Sequence, residues 1–402
     1  MRKTAIDYIN RERVICLLKT LVNVPSPYFH EKEVMNTVYT WLKEHDLNPE
    51  FHHYEEKKIT QFQGLNVIGT LKGKKNGPKV YFNGHVDTVN QCNGWDTDPF
   101  KATIKDDKLY GLGALDMKSG VVAIMLAIEA FKSLHNEFSG EIIYSIVSDE
   151  EGPYGLGTDA VIRDSIANNI DVAIVTEPSS GFCKKSFPCV CLGARGGFNY
   201  TVTLKGKSSH AANPERGINA LVDCAKLMIE LEKSQLIEDE KLGKGSICIL
   251  GCNSKNEACS VPDEASFTVF RHVVNGEDAD YIEQELFSAV KRAGISSEVQ
   301  YSLREYPNEE TKGFLPYTVD ENNPYVKKFI ESVEEVSKEK CTIDYFKSIG
   351  DFNYIGSRLK VPTIIFGADG DNYHTCNEYV KIDTVRDTAL SIYQYLCNLL
   401  CN

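Results

Sequence analysis

The sequence KVYFNGHVD at residues 79–87 is a short apolar run that ends in polar residues. An apolar run of this length beside glycines is typical of a buried strand. A strongly apolar helical stretch, Val121–Leu134, follows it, and so do two further apolar runs, Glu141–Val147 and Asp171–Val175. Buried strands that alternate with helices predict an α/β fold with a mixed, largely parallel sheet flanked by helices.

The same apolar patterns predict further helices and strands on both sides of this stretch. Helical apolar spacing recurs towards both ends of the chain, and shorter apolar runs predict further strands. The predicted helices are Arg11–Leu21, Glu31–His45, Asp159–Asn168, Pro324–Lys338 and Asp383–Leu400, and the predicted strands are Leu65–Leu71 and Thr363–Phe366.

The pattern changes between residues 196 and 306. There the order of elements is β-α-β-β-α-β, which is the ferredoxin-like arrangement. We therefore expect an α+β ferredoxin-like domain at 196–306, inserted into a first domain formed by 1–195 and 307–402. Its predicted strands are Phe198–Leu204, Ser246–Leu250, Ala265–Arg271 and Ser297–Leu303, and its predicted helices are Gly217–Leu231 and Ala279–Ala293.

The composition restricts the partners and the compartment. The chain has 44 basic and 57 acidic residues, a net charge of −13, which argues against nucleic acid or an anionic membrane as partner. No apolar run has the length of a membrane helix, and the first residues lack the pattern of a secretory signal. We therefore expect a cytoplasmic protein whose 13 cysteines are free thiols, with Cys189 and Cys191 as ordinary strand residues.

Acids and histidines follow the apolar runs of the first domain. His85 lies near the end of the quoted stretch, residues 149–151 are three consecutive acids, Glu177 follows a third run, and His374 lies in a glycine-rich loop after a fourth. Ligands of α/β proteins gather at the carboxyl ends of strands. A mixed set of imidazoles and carboxylates suits Zn²⁺, Co²⁺ or Mn²⁺ and not a thiolate site.

Each of these features also has a plainer interpretation. His85 beside Asp87 fits a structural histidine at a turn, Asp116 between glycines fits a helix cap, and residues 149–151 fit a solvated acidic turn. In the metal interpretation, Asp87 accepts the second N–H group of a metal-bound His85. The two oxygens of Asp116 would then bridge two cations.

The order of these motifs resembles the co-catalytic zinc metallopeptidases, which include acetylornithine deacetylase, succinyl-diaminopimelate desuccinylase, aminoacylase and the glutamate carboxypeptidases. The resemblance runs nearly from end to end. The resembling blocks are GHVDT at 84–88, GALDMKSG at 113–120, DEE at 149–151, TEP at 176–178, Ser209 with His210, and His374 with Asn377 and Glu378.

The resemblance implies a metal-dependent hydrolase that cleaves the amide bond of an N-acyl amino acid or a small peptide. It implies two Zn²⁺ ions per subunit, for which Co²⁺ or Mn²⁺ would also fit, and a cis peptide bond between Asp116 and Met117. The implied ligands are His85, Asp116 and Glu177 for the first ion, and Asp116, Glu151 and His374 for the second.

The resemblance also implies roles around the metals. Glu150 would be the general base that takes a proton from the attacking water and returns it to the leaving nitrogen, and Asp87 would orient His85. The inserted domain resembles the family's lid and dimerisation domain, in which His210 would stabilise the oxyanion, often across the subunit boundary of a homodimer. Arg271 would bind the substrate carboxylate, with a surface or interface salt bridge as the alternative for this arginine.

Several functional alternatives stay open. A di- or tripeptidase or a carboxypeptidase would share every catalytic residue with a deacylase. A catalytically inactive relative that acts as a binding protein would lack a ligand or Glu150, and none is lost. A serine hydrolase is disfavoured because no Gly-x-Ser-x-Gly motif is evident.

Overall fold

The computed structural model describes residues 3–254, 259–307 and 312–401. The chain forms two compact units. The first consists of Met1–Ala194, Thr318–Phe346 and Gly350–Asn402, and the second of Arg195–Tyr317 with Lys347–Ile349. The two domains predicted from the sequence, 1–195 with 307–402 and 196–306, include a few residues that the structure does not describe. Their assignment as a catalytic domain and a lid domain remains a prediction.

A nine-stranded mixed sheet runs through the first unit. Its central strand, Lys75–His85, pairs in parallel with Ser139–Val147 on one side and Val172–Val175 on the other, and Val172–Val175 pairs in parallel with Thr363–Ile365. This sheet confirms the predicted fold class. The strands follow the order Pro49–Glu55, Gln63–Lys72, Ser139–Val147, Lys75–His85, Val172–Val175, Thr363–Ile365, Cys189–Ala194 and Tyr317–Thr318, with Thr342–Phe346 paired to Cys189–Ala194.

Helices cover this sheet. Lys118–Leu134 is buried along most of its length, which explains why its sequence is apolar on all sides. None of the helices in the described ranges combines the length and apolar character that a membrane span requires. The other helices are Ala5–Tyr8, Arg11–Val22, Lys32–Glu44, Leu156–Arg163, Ser179–Cys183, Pro324–Ser337, Asp351–Tyr354, Ile355–Leu359 and Ile382–Leu400, and a small second sheet contains Thr103–Lys105, Lys108–Tyr110, Gly370–Asp371 and Tyr379–Lys381.

The register of the parallel strands aligns their carboxyl ends. His85 lies opposite Val147, and Asn83 lies opposite Val175. The polar residues that follow these three strands therefore begin at the same edge of the sheet, where ligands of α/β proteins are usually found.

The second unit has a four-stranded antiparallel sheet. Its main elements follow the β-α-β-β-α-β order expected from the sequence, and the two long helices and the sheet share one apolar core. The strands of this sheet are Gly196–Lys205, Ser246–Ser254, Glu264–Val273 and Glu298–Leu303, and Glu238–Asp239 and Gly243–Lys244 form a separate pair. The helices are Pro214–Arg216, Ala220–Glu232 and Ala279–Ala293.

Several predicted helices have different bounds in the structure, and two of these differences have a clear local cause. The helix expected near Asp159–Asn168 spans Leu156–Arg163. The chain after it turns through Ser165 and Asn169, whose φ angles of 59° and 53° are incompatible with a continuing helix. The helix expected from Gly217 begins at Ala220, because the Asn219 side chain accepts a hydrogen bond from the Val222 amide and caps it there.

Candidate metal centre

Asp116 lies between the two histidines singled out in the sequence. Its Oδ1 is 3.4 Å from Nε2 of His85, and its Oδ2 is 3.2 Å from Nε2 of His374. His85 ends a central strand, whereas His374 belongs to the loop that follows Thr363–Ile365. Each oxygen of one carboxylate therefore faces a different imidazole.

Two glutamates complete these groups. Glu177, directly beyond the strand Val172–Val175, places Oε1 at 3.6 Å from Nε2 of His85. Glu151, after Ser139–Val147, places Oε2 at 2.8 Å from Nε2 of His374. Potential ligand atoms of His85, Asp116 and Glu151 all lie within 4.8 Å of one another, as do those of His85, Glu150 and Glu177. These two groups share His85, and the two oxygens of Asp116 connect His85 on one side with His374 on the other.

Unpartnered buried atoms test whether this pocket fits a cation. His85 is only 1% exposed and Glu177 only 2%, yet Nε2 of His85 and Oε2 of Glu177 have no hydrogen-bond partner among the residues described. Buried polar atoms are normally paired. A divalent cation binds nitrogen and oxygen lone pairs that point to the same place and have no proton between them. The donor set therefore fits a metal such as Zn²⁺.

The electrostatics of the pocket show an excess of negative charge. Burial raises the pKa of Glu150 to about 7 and that of Glu151 to about 8, with a further contribution from the charge of Asp116. Burial alone would lower the pKa of His374, but hydrogen bonds to Asp116 and Glu151 raise it to about 11. A bound cation would offset the repulsion between these carboxylates.

Asp87 contacts both His85 and the acidic loop. The backbone oxygen of Asp87 is 3.1 Å from Nδ1 of His85, and its carboxylate Oδ1 is 3.4 Å from the same atom. The other carboxylate oxygen accepts a hydrogen bond of 2.8 Å from the Glu151 amide. Asp87 is thus positioned both to hold the imidazole and to fix the segment that carries Glu150 and Glu151.

The two carboxylate oxygens of Glu150 have different surroundings. Oε1 accepts a hydrogen bond of 3.2 Å from the amide of Asp351, at the start of a short helix. Oε2 faces the centre, 3.7 Å from Nε2 of His85. One oxygen is therefore held by the backbone while the other points towards the residues that would surround a cation.

The loop before the helix Lys118–Leu134 brings Asp116 close to the strand end that carries Glu177. The peptide bond between Asp116 and Met117 is cis, as the resemblance implies. A Cβ atom on Gly120 would lie 2.0 Å from the backbone oxygen of Thr176, so only glycine allows this approach.

Glu378 has a role that the sequence did not reveal. Its buried carboxylate accepts hydrogen bonds from the backbone amides of Gly113, Leu115 and Asp116, at 2.9, 2.7 and 3.0 Å. Three charge-assisted bonds hold the loop that presents Asp116. The signal in the sequence was its place beside His374 and Asn377 in a block that resembles the metallopeptidases.

Glu31 makes a similar contact that the sequence also did not indicate. Its Oε1 accepts the amides of Phe29 and Asp149, at 2.8 and 3.1 Å. Asp149 directly precedes Glu150 and has a φ of 58°, so this contact anchors a loop in a backbone conformation that is unusual outside glycine.

The remaining two predicted site residues lie in the second unit. His210 is exposed, and its Nδ1 accepts a hydrogen bond from the Ala212 amide. Arg271 is fully buried, with its guanidinium bound to the carboxylates of Glu277 and Glu285. These contacts are salt bridges, as in the alternative for Arg271, but they are buried inside the unit and do not lie at a surface or an interface. The substrate roles of both residues stay predictions.

Replacement of Arg271 by methionine is expected to lower the free energy of unfolding by about 3–5 kcal/mol, because Glu277 and Glu285 would stay buried without a cation. Urea unfolding followed by circular dichroism measures this change. The control is Arg292→Met, since its pairing with Glu230 is partly exposed and such pairs contribute about 0–1 kcal/mol. Unchanged stability with a raised KM would instead indicate a substrate contact for Arg271.

Comparison with known proteins supports the same interpretation. The family model for peptidase family M20/M25/M40 matches residues 81–398. A succinyl-diaminopimelate desuccinylase of Sulfurimonas denitrificans is 29% identical over 347 residues, which cover 84% of this chain and 88% of that protein. All the proposed metal ligands lie inside the matched range.

Solved structures share the fold. The aminopeptidase PepT of Bacillus cereus superposes with a TM-score of 0.77 at 21% identity, covering 97% of this chain and 99% of that one. A dinuclear metal-binding peptidase of the M20 family from Bacillus subtilis has a TM-score of 0.69 at 13% identity, with 96% and 98% coverage. Because the family model spans most of the sequence, the chain belongs to peptidase family M20/M25/M40 and is a hydrolase of amide bonds.

Proposed function

We propose that this protein is a two-metal deacylase, which hydrolyses the amide bond of an N-acyl amino acid. The observation that carries the proposal is the position of Asp116, whose two oxygens face the imidazoles of His85 and His374 separately. We assign His85, Asp116 and Glu177 to one ion and Asp116, Glu151 and His374 to the other.

Divalent cations at this centre would act as Lewis acids, polarising the amide carbonyl and favouring the ionisation of water near neutral pH. Zn²⁺ is the ion we propose, because imidazole and carboxylate ligands suit it, and Co²⁺ and Mn²⁺ are accepted by the same donor types.

The protein's own residues would move the proton. Glu150 accepts the proton of the attacking water on Oε2, which faces the centre, and then returns it to the leaving nitrogen. The amide of Asp351 holds the other oxygen, so the carboxylate keeps one orientation in both steps. Asp87 maintains the ring of His85, and His210 would stabilise the oxyanion.

The relatives support the choice of an acyl amino acid as substrate. The desuccinylases of Sulfurimonas denitrificans and Rickettsia bellii match over 84% and 95% of this chain. The peptidases that share the fold are less than 25% identical to this chain, so a di- or tripeptidase or carboxypeptidase is retained as the second outcome of a substrate screen. The relatives offer no support for an inactive binding protein.

Two broader features belong to the same proposal. We propose a homodimer, because the resemblance of the second unit is to a dimerisation domain. We also propose a cytoplasmic location, since the structure describes all 13 cysteines and joins none of them in a disulfide, and a reducing compartment keeps cysteines in that state.

Chelation is expected to abolish hydrolysis, and Zn²⁺ or Co²⁺ to restore it. The assay compares N-succinyl and N-acetyl amino acids with dipeptides of the same C-terminal residue, using protein stripped with EDTA and then reloaded. We expect kcat/KM at least tenfold higher for an acyl amino acid. Faster cleavage of the dipeptides would make the protein a peptidase, and hydrolysis that persists in EDTA would refute the two-metal proposal.

A further inference from the structure

Three thiols meet where the helix Ser179–Cys183 ends close to the strand Cys189–Ala194. Cys189 and Cys191 alternate on the strand Cys189–Ala194, so their side chains project from the same face of the sheet. Cys183, the last residue of the helix Ser179–Cys183, approaches from the preceding element. Its sulfur is 3.3 Å from that of Cys191, and the three sulfurs all lie within 4.8 Å of one another.

The spacing matches a trithiolate metal site. Zinc binds thiolate sulfur at about 2.3 Å, and tetrahedral geometry then places ligand sulfurs about 3.8 Å apart. One pair of sulfurs is 3.3 Å apart and all three lie within 4.8 Å of one another, so small shifts of side chains would bring them into one coordination sphere.

The surroundings favour a buried cation over free thiolates. Cys189 and Cys191 are fully buried, and the ring of Phe182, which precedes Cys183 in the chain, contacts the rings of Phe346 and Tyr373. Hydrogen bonding with the Cys183 thiol raises the pKa of Cys191, and burial adds to the effect. The thiols therefore remain protonated unless an ion displaces the protons.

The charged residue Asp344 pairs with Cys191 between neighbouring strands and its charge helps to raise the pKa of Cys189, while Nζ of Lys185 lies 4.0 Å from the Asp344 carboxylate. A carboxylate on the adjacent strand adds negative charge and so favours a cation at this place.

We propose that Cys183, Cys189 and Cys191 form a third metal site, which binds one thiophilic d¹⁰ ion of the Zn²⁺ or Cd²⁺ type. Thiolates select soft ions, whereas the imidazoles and carboxylates around Asp116 form a harder donor set, so the two places are chemically distinct. The inference does not depend on the proposed deacylase activity.

The test titrates reduced, metal-free protein with Cd²⁺ in the presence of a weak competing chelator, and follows thiolate-to-metal charge-transfer absorption. Ions bound only by nitrogen and oxygen do not produce this band. We expect one tightly bound Cd²⁺ per chain that gives the band, and a loss of at least tenfold in its affinity in Cys183→Ser and in Cys191→Ser.

Cys252→Ser is the matched control, because Cys252 and Cys224 form a two-thiol pair with sulfurs 3.8 Å apart in the second unit. This variant should keep the tight Cd²⁺ ion. Alkylation mapped by mass spectrometry supplies a second readout: bound Cd²⁺ should protect Cys183 at the partly exposed end of its helix. An identical titration in all three variants, or alkylation of Cys183 at the same rate with and without Cd²⁺, would overturn the site.

Discussion

Replacement of Glu150 by glutamine is expected to lower kcat by about 10²–10⁴-fold while the metal content stays unchanged. Glutamine has the shape of glutamate and can still accept the Asp351 amide through its single carbonyl oxygen. It cannot accept the proton of water or deliver one to the leaving nitrogen. The variant therefore removes proton transfer without removing the packing of the residue.

The measurement combines steady-state kinetics on the best substrate of the screen with metal analysis of the same sample. Glu55→Gln is the control, because Glu55 is exposed on an edge strand and should leave kcat unchanged. Turnover near the normal value in Glu150→Gln would refute the role of this residue as general base. Loss of metal together with turnover would assign Glu150 to the ligand set instead.

Glu378→Ala should weaken metal binding by about 10–100-fold, which is the usual effect of losing a residue that orients a ligand. Three buried amides, those of Gly113, Leu115 and Asp116, would lose their acceptor. Each unsatisfied buried group costs about 1–3 kcal/mol, so the free energy of unfolding should fall by about 3 kcal/mol or more.

Glu378→Gln distinguishes the loss of one hydrogen bond to the Asp116 loop from the loss of the whole side chain. The amides of Leu115 and Asp116 share one carboxylate oxygen, so a glutamine carbonyl can retain both and lose only the bond to Gly113. We therefore expect a metal affinity between those of the wild type and the alanine variant.

Calorimetric titration of metal-free protein with Zn²⁺ measures this series, and urea unfolding measures stability. Thr375→Ala serves as the control, because its side chain is exposed in the same loop and should change neither quantity. An alanine variant of Glu378 that binds Zn²⁺ as tightly as the wild type would exclude the positioning role.

Much of the fold could be predicted from periodicity. The strongly apolar segments, such as Val121–Leu134 and Glu141–Val147, fall within elements of the type expected from the sequence. The strand Pro49–Glu55 was not predicted, because most of its residues are polar and exposed and its stability comes from pairing with Gln63–Lys72. Such an edge strand has little apolar signal of its own.

The sequence by itself determined that this is an α/β chain with acids and histidines at its strand ends, because local apolar periodicity encodes elements and their order. Only the tertiary structure decided that Asp116 faces two imidazoles, that Glu378 holds its loop, and that Arg271 is enclosed by two carboxylates. These contacts join residues that are distant along the chain, or they depend on the direction in which a side chain points. Spacing in a sequence does not carry that information, since strand register and loop geometry create it only when the chain packs.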